Sequence, residues 1–228
     1  MGNKTLTIFD SGFKKTIFAN EYKFYIHESF IEDVNFETIK DIILFKEKEI
    51  IEKYPNSRTD GNTGLGHNSL TSKFENFNLF SWNEPEIQKL KKGVIDQLHF
   101  FLNKLMMDVP EGLKVQCWAN VMRNGEEILP HVHDTSNNTF IGGNICITTN
   151  ETKTHYINPM AYFAGDEQQI YSSDNKQGKV TFFSQSIPHY TDKVKEELRI
   201  SVAFDFTHTG HSRYEHKNLI YLDNKRGE

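Results

Sequence analysis

Between residues 113 and 207 one short β-type segment follows another with no helical period between them, and this succession limits the fold more than any other feature. The expected strands are 114–123, 128–134, 139–149, 154–157, 168–171, 179–184, 189–191 and 198–206. Turn residues separate them: Asn124-Gly125, a strong hairpin signal that would bring 128–134 back as the next strand, then Asn158-Pro159 and the stretch 174–178. Strands this short and closely spaced, without crossover helices, fold as a β-sandwich or jelly roll. The pair Gly142-Gly143 marks a place where backbones approach closely.

The first 112 residues read as support for that β region. Short β-type runs at 6–9, 16–18 and 22–26 come first. The period then changes over 30–53, where Ile39, Ile42, Ile43, Phe45, Lys46 and Ile50 approximate one face of a helix that stops before Pro55. Residues 56–68 are rich in Gly, Asn and Ser and form a loop near the site; no Lys-Ser or Lys-Thr follows, so they are not a phosphate cradle. A strand is expected over 73–82, and a second helix from Pro85 to about Met107, ended by Pro110 and Gly112. Its stripe of Ile87, Leu90, Val94, Leu98, Phe101, Leu102 and Leu105 packs on a sheet. The whole chain, 1–228, reads as one domain with two supporting helices, a β core over 113–207 and a polar tail over 208–228.

Eighteen Phe and nine Tyr argue for a folded core, and a net charge of −5 gives no basic footprint for nucleic acid. No apolar run reaches the roughly 18 residues of a membrane span, and the N-terminus does not resemble a signal peptide. Cys117 and Cys146 lack metal or redox spacing and read as buried free thiols, which suits a cytoplasmic protein. The oligomeric state is left open.

The chemistry lies in the β region. His131 and His133 stand two apart, so on a strand both imidazoles face one side and can reach one ion. A single histidine is usually structural. Two in this spacing beside Asp134, with His189 available from a facing strand, make a metal site the better reading. Arg199 lies ten residues after His189 and shares a strand face with Ser201, while Ile200, Val202 and Phe204 share the other. An inward guanidinium needs a carboxylate partner. A small diacid could be gripped by Arg199 with help from the Ser201 hydroxyl; alternatively Arg199 pairs with Glu196, Glu197 or Asp205 at the surface.

Trp118-Ala119-Asn120, the Asn124-Gly125 turn, Pro130 to His133, Gly142-Gly143, Ser186 to His189 and Arg199 to Phe204 together resemble the 2-oxoglutarate/Fe(II)-dependent oxygenase superfamily. Within it the chain resembles an oxygenase branch of bacteria and marine phages. The resemblance implies a double-stranded β-helix holding Fe(II), with 2-oxoglutarate and O2 as cosubstrates. Arg199, Ser201 and Asn120 would bind the far end of 2-oxoglutarate. The implied reaction is hydroxylation of a peptidyl (prolyl-type) or small-molecule substrate with release of succinate and CO2. The superfamily's usual ligands are two His and one carboxylate, the carboxylate two residues after the first His. Here that position holds His133, and the acid follows at Asp134. Strand alternation favours His131, His133 and His189 as the ligands, with Asp134 an acceptor for a ligand N–H. Charge favours Asp134 as a ligand, turned inward by a bulge.

A cupin-like metal-binding protein or isomerase is the rival reading, since cupins also carry His-x-His on a jelly roll. They add a Glu a few residues on, where this chain has Asn137 and Asn138. The loops 56–68 and 160–177 are candidate lids.

Overall fold

The computed structural model describes residues 5–135, 139–160, 169–208 and 218–222. Their architecture is a double-stranded β-helix, or jelly roll, backed by two helices. The large sheet contains β1 (Thr5–Asp10), β2 (Lys23–Phe30), β3 (Lys114–Arg123), β4 (Thr139–Cys146), β7 (Lys179–Phe183), β9 (Leu198–Thr207) and β10 (Ile220–Tyr221), in the order β1-β2-β7-β4-β9-β3-β10. The small sheet is β6-β5-β8, built from β5 (Lys153–Ile157), β6 (Ile170–Asp174) and β8 (His189–Thr191). All pairings are antiparallel.

Both faces of the large sheet are used, and the period of two divides its residues between them. Val115, Cys117, Ala119 and Val121 of β3, with Ile200, Val202, Phe204 and Phe206 of β9, join the helices in the main core. Trp118, Asn120, Arg199, Ser201, Ala203 and Asp205 line a cavity on the opposite face. The expected separation of Arg199 and Ser201 from Ile200, Val202 and Phe204 is therefore what the structure shows. Cys117 and Cys146 are buried free thiols, also as expected.

The helices are α1 (Phe36–Lys53) and α2 (Pro85–Lys104). Asn35 caps α1, its side chain accepting from the Thr38 N–H at 3.0 Å. The buried stripe is Phe36, Ile39, Ile43, Glu47 and Ile50; Phe45, expected on it, is 66% exposed. At about 100° per residue, Phe45 points away from Ile43, whereas Glu47 falls on the stripe. Glu47 is accommodated there by a two-pronged pair with Arg123, at 3.1 and 2.7 Å. In α2, Pro85 occupies the first turn and the stripe Ile87, Leu90, Val94, Leu98, Phe101 and Leu102 is buried as expected. The helix ends at Lys104, short of Met107, because Met106 turns into the left-handed region at φ 55°.

Four expectations are corrected. Residues 73–82 form no strand: 3-10 turns occupy Thr71–Lys73 and Leu79–Ser81. Asn78 directs the second turn, accepting from the Phe80 N–H and donating to the Val115 carbonyl. Residues 16–18 lie in the β1–β2 loop, with Ile17 and Phe18 exposed. The strand expected over 168–171 is β6, shifted to Ile170–Asp174, and residue 168 lies outside the described residues. Finally, the turn at Asn124-Gly125 is real, with Gly125 at φ 86°, but makes no hairpin. β9 lies along one edge of β3 and β10 meets the other only at Lys114 and Val115, while the chain after the turn crosses to the small sheet. There 128–133 runs beside β8, and only His131 forms a ladder bridge.

A Cβ on Gly143 would lie 2.3 Å from the Phe204 ring and 2.7 Å from the Thr181 carbonyl oxygen. Neither neighbour is a flexible side-chain end. Gly143→Ala is therefore expected to lower the unfolding free energy by about 1–3 kcal/mol, read from denaturant melts. A midpoint equal to that of the unsubstituted protein would contradict this packing.

Candidate metal centre

Three histidines converge where the 128–133 segment meets β8. The backbones of His131 and His189 bond reciprocally, N–H to carbonyl, at 3.1 and 2.9 Å. The next inward residue of the segment, His133, is held by its N–H donating to the Gln185 carbonyl at 3.1 Å. One nitrogen from each of the three rings lies within 4.8 Å of the other two, a grouping able to hold a metal ion.

The hydrogen bonds choose the tautomer of every ring. Nδ1 of His131 faces the Leu129 carbonyl at 2.9 Å, and Nδ1 of His189 faces the Ile187 carbonyl at 3.0 Å. Nδ1 of His133 faces Oδ1 of Asp205 at 2.6 Å. A carbonyl or carboxylate oxygen can only accept, so each Nδ1 carries the proton and each Nε2 keeps its lone pair. Metal-binding histidines are held in this way, through an N–H donated to a carbonyl or carboxylate. Burial, and then the neighbouring His133, push the His131 pKa down to about 4. Burial followed by His131 and His133 holds His189 well below its usual value. His131 and His189 are therefore neutral near neutral pH.

Asp134 follows the triad residue His133 but is absent both from the histidine grouping and from the cavity lining. The acceptor for His133 is instead Asp205, from the inward face of β9. Asp205 is expected from the sequence only as a surface partner for Arg199. Its period-two spacing from Arg199, Ser201 and Ala203 was the signal that puts it in the cavity.

The cavity has a volume of about 130 Å3. Asn120, Arg199 and Ser201 all line it with the three histidines, and Asn120 stands directly across from Ser201 in the β3–β9 register. Asn120 Oδ1 accepts from the Thr71 hydroxyl at 2.7 Å. Arg199 is 2% exposed. One of its terminal nitrogens donates to the Thr154 hydroxyl at 2.8 Å, while Nε and Nη1 are buried without a partner among the described residues. Among the described residues it forms no ion pair with Glu196, Glu197 or Asp205, so the surface-pair reading does not hold. A guanidinium buried with two orphaned nitrogens carries a large desolvation cost unless an anion completes it. Thr154 and Thr71 were not legible as site residues; an isolated threonine carries no signal until its strand is placed.

The loop 56–68 forms one wall, as expected, with Gly61 and Thr63 lining the cavity. The Asp60 carboxylate gathers the N–H groups of Asn62, Gly64 and Gly66 at 3.0, 3.0 and 3.2 Å. Leu129 then donates its N–H to the Thr63 carbonyl, tying the loop to the histidine segment. The second candidate lid, 160–177, falls partly outside the described residues, which omit 161–168.

No protein-family model and no curated protein matches the chain. Solved structures do. A prolyl hydroxylase from Trichoplax adhaerens, in complex with a hypoxia inducible factor oxygen degradation domain peptide fragment, aligns over 80% of this chain and 83% of its own at 10% identity and a TM-score of 0.51. AviO1 from Streptomyces viridochromogenes aligns over 81% of this chain and 90% of its own at 11% identity and a TM-score of 0.51. At such identities the likeness is one of fold.

The depressed histidine pKa values have a consequence for stability. As pH falls below 6.5 the unfolded chain takes up protons that folded His131 refuses until about 4, so stability drops through that window. The metal-free protein is expected to melt lower at about pH 5.5 than at about pH 7.5, and a His131→Asn/His189→Asn double variant should flatten the difference. Equal melting temperatures for the unsubstituted protein would mean that the rings are not buried neutral.

Proposed function

We propose that the protein is a non-haem Fe(II)- and 2-oxoglutarate-dependent oxygenase that hydroxylates a peptidyl (prolyl-type) or small-molecule substrate, releasing succinate and CO2. The observation that carries this reading is one cavity holding both three convergent imidazoles and a buried, incompletely satisfied Arg199. Three imidazoles suit a divalent first-row metal and leave coordination positions for a chelating cosubstrate. Arg199 suits the distal carboxylate of a small diacid, with Ser201 and Asn120 as further polar contacts at that end.

His131, His133 and His189 would hold the iron, and their outward Nδ1–H bonds fix the rings before it arrives. Arg199, anchored by Thr154, would orient 2-oxoglutarate. Phe74, Trp118 and Phe183 give the cavity apolar walls that exclude water. Iron held by these three rings would supply the O2 chemistry, coupled to decarboxylation of the diacid. Asp134, the acid first expected to assist, is assigned no step, because it does not line the cavity. The prolyl-type substrate rests on fold likeness to the Trichoplax hydroxylase.

The three-histidine set also favours a second reading, a cupin-like metal-binding protein or isomerase without a diacid. Anaerobic titration separates the two. Fe(II) and 2-oxoglutarate together, and neither alone, should produce a weak visible charge-transfer band. Arg199→Ala should retain Fe(II) while weakening 2-oxoglutarate by about 2 kcal/mol or more, roughly 30-fold. Metal binding without the band, and a diacid affinity indifferent to Arg199→Ala, would favour the cupin-like reading.

A further inference from the structure

A three-histidine set brings no charge to a divalent ion, whereas two histidines and a carboxylate bring one negative charge. We propose that Asp205, acting through His133, supplies that charge as a positioning residue one bond removed from the metal. This inference rests on the metal reading above.

Two observations carry it, together with the chemistry of the imidazole ring. The Asp205–His133 contact is the shortest of the three outer bonds, at 2.6 Å against 2.9 and 3.0 Å. It is also the one made to a carboxylate; the other two acceptors are neutral carbonyls. A charge-assisted bond at Nδ1 pushes electron density toward Nε2 and makes that nitrogen a stronger donor.

The surroundings are shaped for this pair. Gly142 stands opposite Asp205 in the β4–β9 register. A Cβ there would lie 2.9 Å from Asp205 Oδ1 and 3.2 Å from His133 Nδ1. The missing side chain thus leaves room for the contact. From the other side, the Gln185 carbonyl accepts the His133 N–H, and the Gln185 side chain donates to the Phe206 carbonyl at 3.0 Å, beside Asp205 in sequence. Histidine and carboxylate are fixed to the same framework.

With Fe(II), Arg199, a dianionic diacid and Asp205 counted together, the formal charges cancel. That is the balance a ligating carboxylate would give, reached with the acid in the outer position.

The test is Co(II) titration of the metal-free full chain, following both the visible d–d band and the dissociation constant. Asp205→Asn preserves shape and an acceptor oxygen but removes the charge. Its metal-free melting temperature should stay near that of the unsubstituted protein, while Co(II) affinity falls about 10- to 100-fold and the band shifts. Gly142→Ala, which leaves Asp205 intact but crowds the contact, should weaken Co(II) in the same direction. Binding by Asp205→Asn within about twofold of the unsubstituted protein, with an unmoved band, overturns the inference and leaves the metal reading standing. Should Asp205→Asn fold poorly, an undiminished Co(II) affinity in Gly142→Ala overturns it alone. Failure of the unsubstituted protein to bind Co(II) overturns both.

Discussion

The reciprocal backbone bonds between His131 and His189 are the constraint on which the centre depends. They are made by a segment that is otherwise not a strand, so its position is set by a few contacts: Leu129 to Thr63, His131 to His189 and His133 to Gln185. This bridge joins a histidine from a crossing segment to one on the small sheet. The period of two then brings His133 to the same side. After Asn124-Gly125 the chain leaves the large sheet, and His131 and His133 lie on that crossing while His189 lies on β8.

The large sheet meets two opposing demands with one alternating sequence. Its outer face is apolar and packs on α1 and α2. Its inner face carries Asn120, Arg199, Ser201 and Asp205, groups that are costly to bury unless they are partnered. Some of that cost is met inside the protein, by Thr71 for Asn120, Thr154 for Arg199 and His133 for Asp205. The rest, two nitrogens of Arg199, stays unpartnered among the described residues. Such incomplete satisfaction is unusual in a core and is the physical mark of a binding site.

Much of this was legible before any coordinates. The His-x-His spacing, the distant His189 and the alternation about Arg199 follow from strand geometry alone, and so does the apolar stripe of α2. What was not legible depended on which edges were free and which residues were capped. The Asn124-Gly125 turn reads as a hairpin unless the segment after it is known to bond to β8 instead, through His131 and His189. Residues 73–82 read as a strand unless Asn78 is known to bond the Phe80 N–H and the Val115 carbonyl. That His133 bonds Asp205 is a tertiary matter, because Asp205 is remote in sequence and reaches His133 beside Gly142, its partner in the β4–β9 register.

The most direct measurement of the central claim is a crystal structure of the protein loaded with Fe(II) anaerobically, with the ion located by its anomalous scattering. The account predicts one ion held by Nε2 of His131, His133 and His189, with Asp205 still bonded to Nδ1 of His133 and the remaining coordination positions facing the cavity. An ion bound by a carboxylate oxygen of Asp134 or Asp205 in place of His133, or no ion among the three rings, would contradict it.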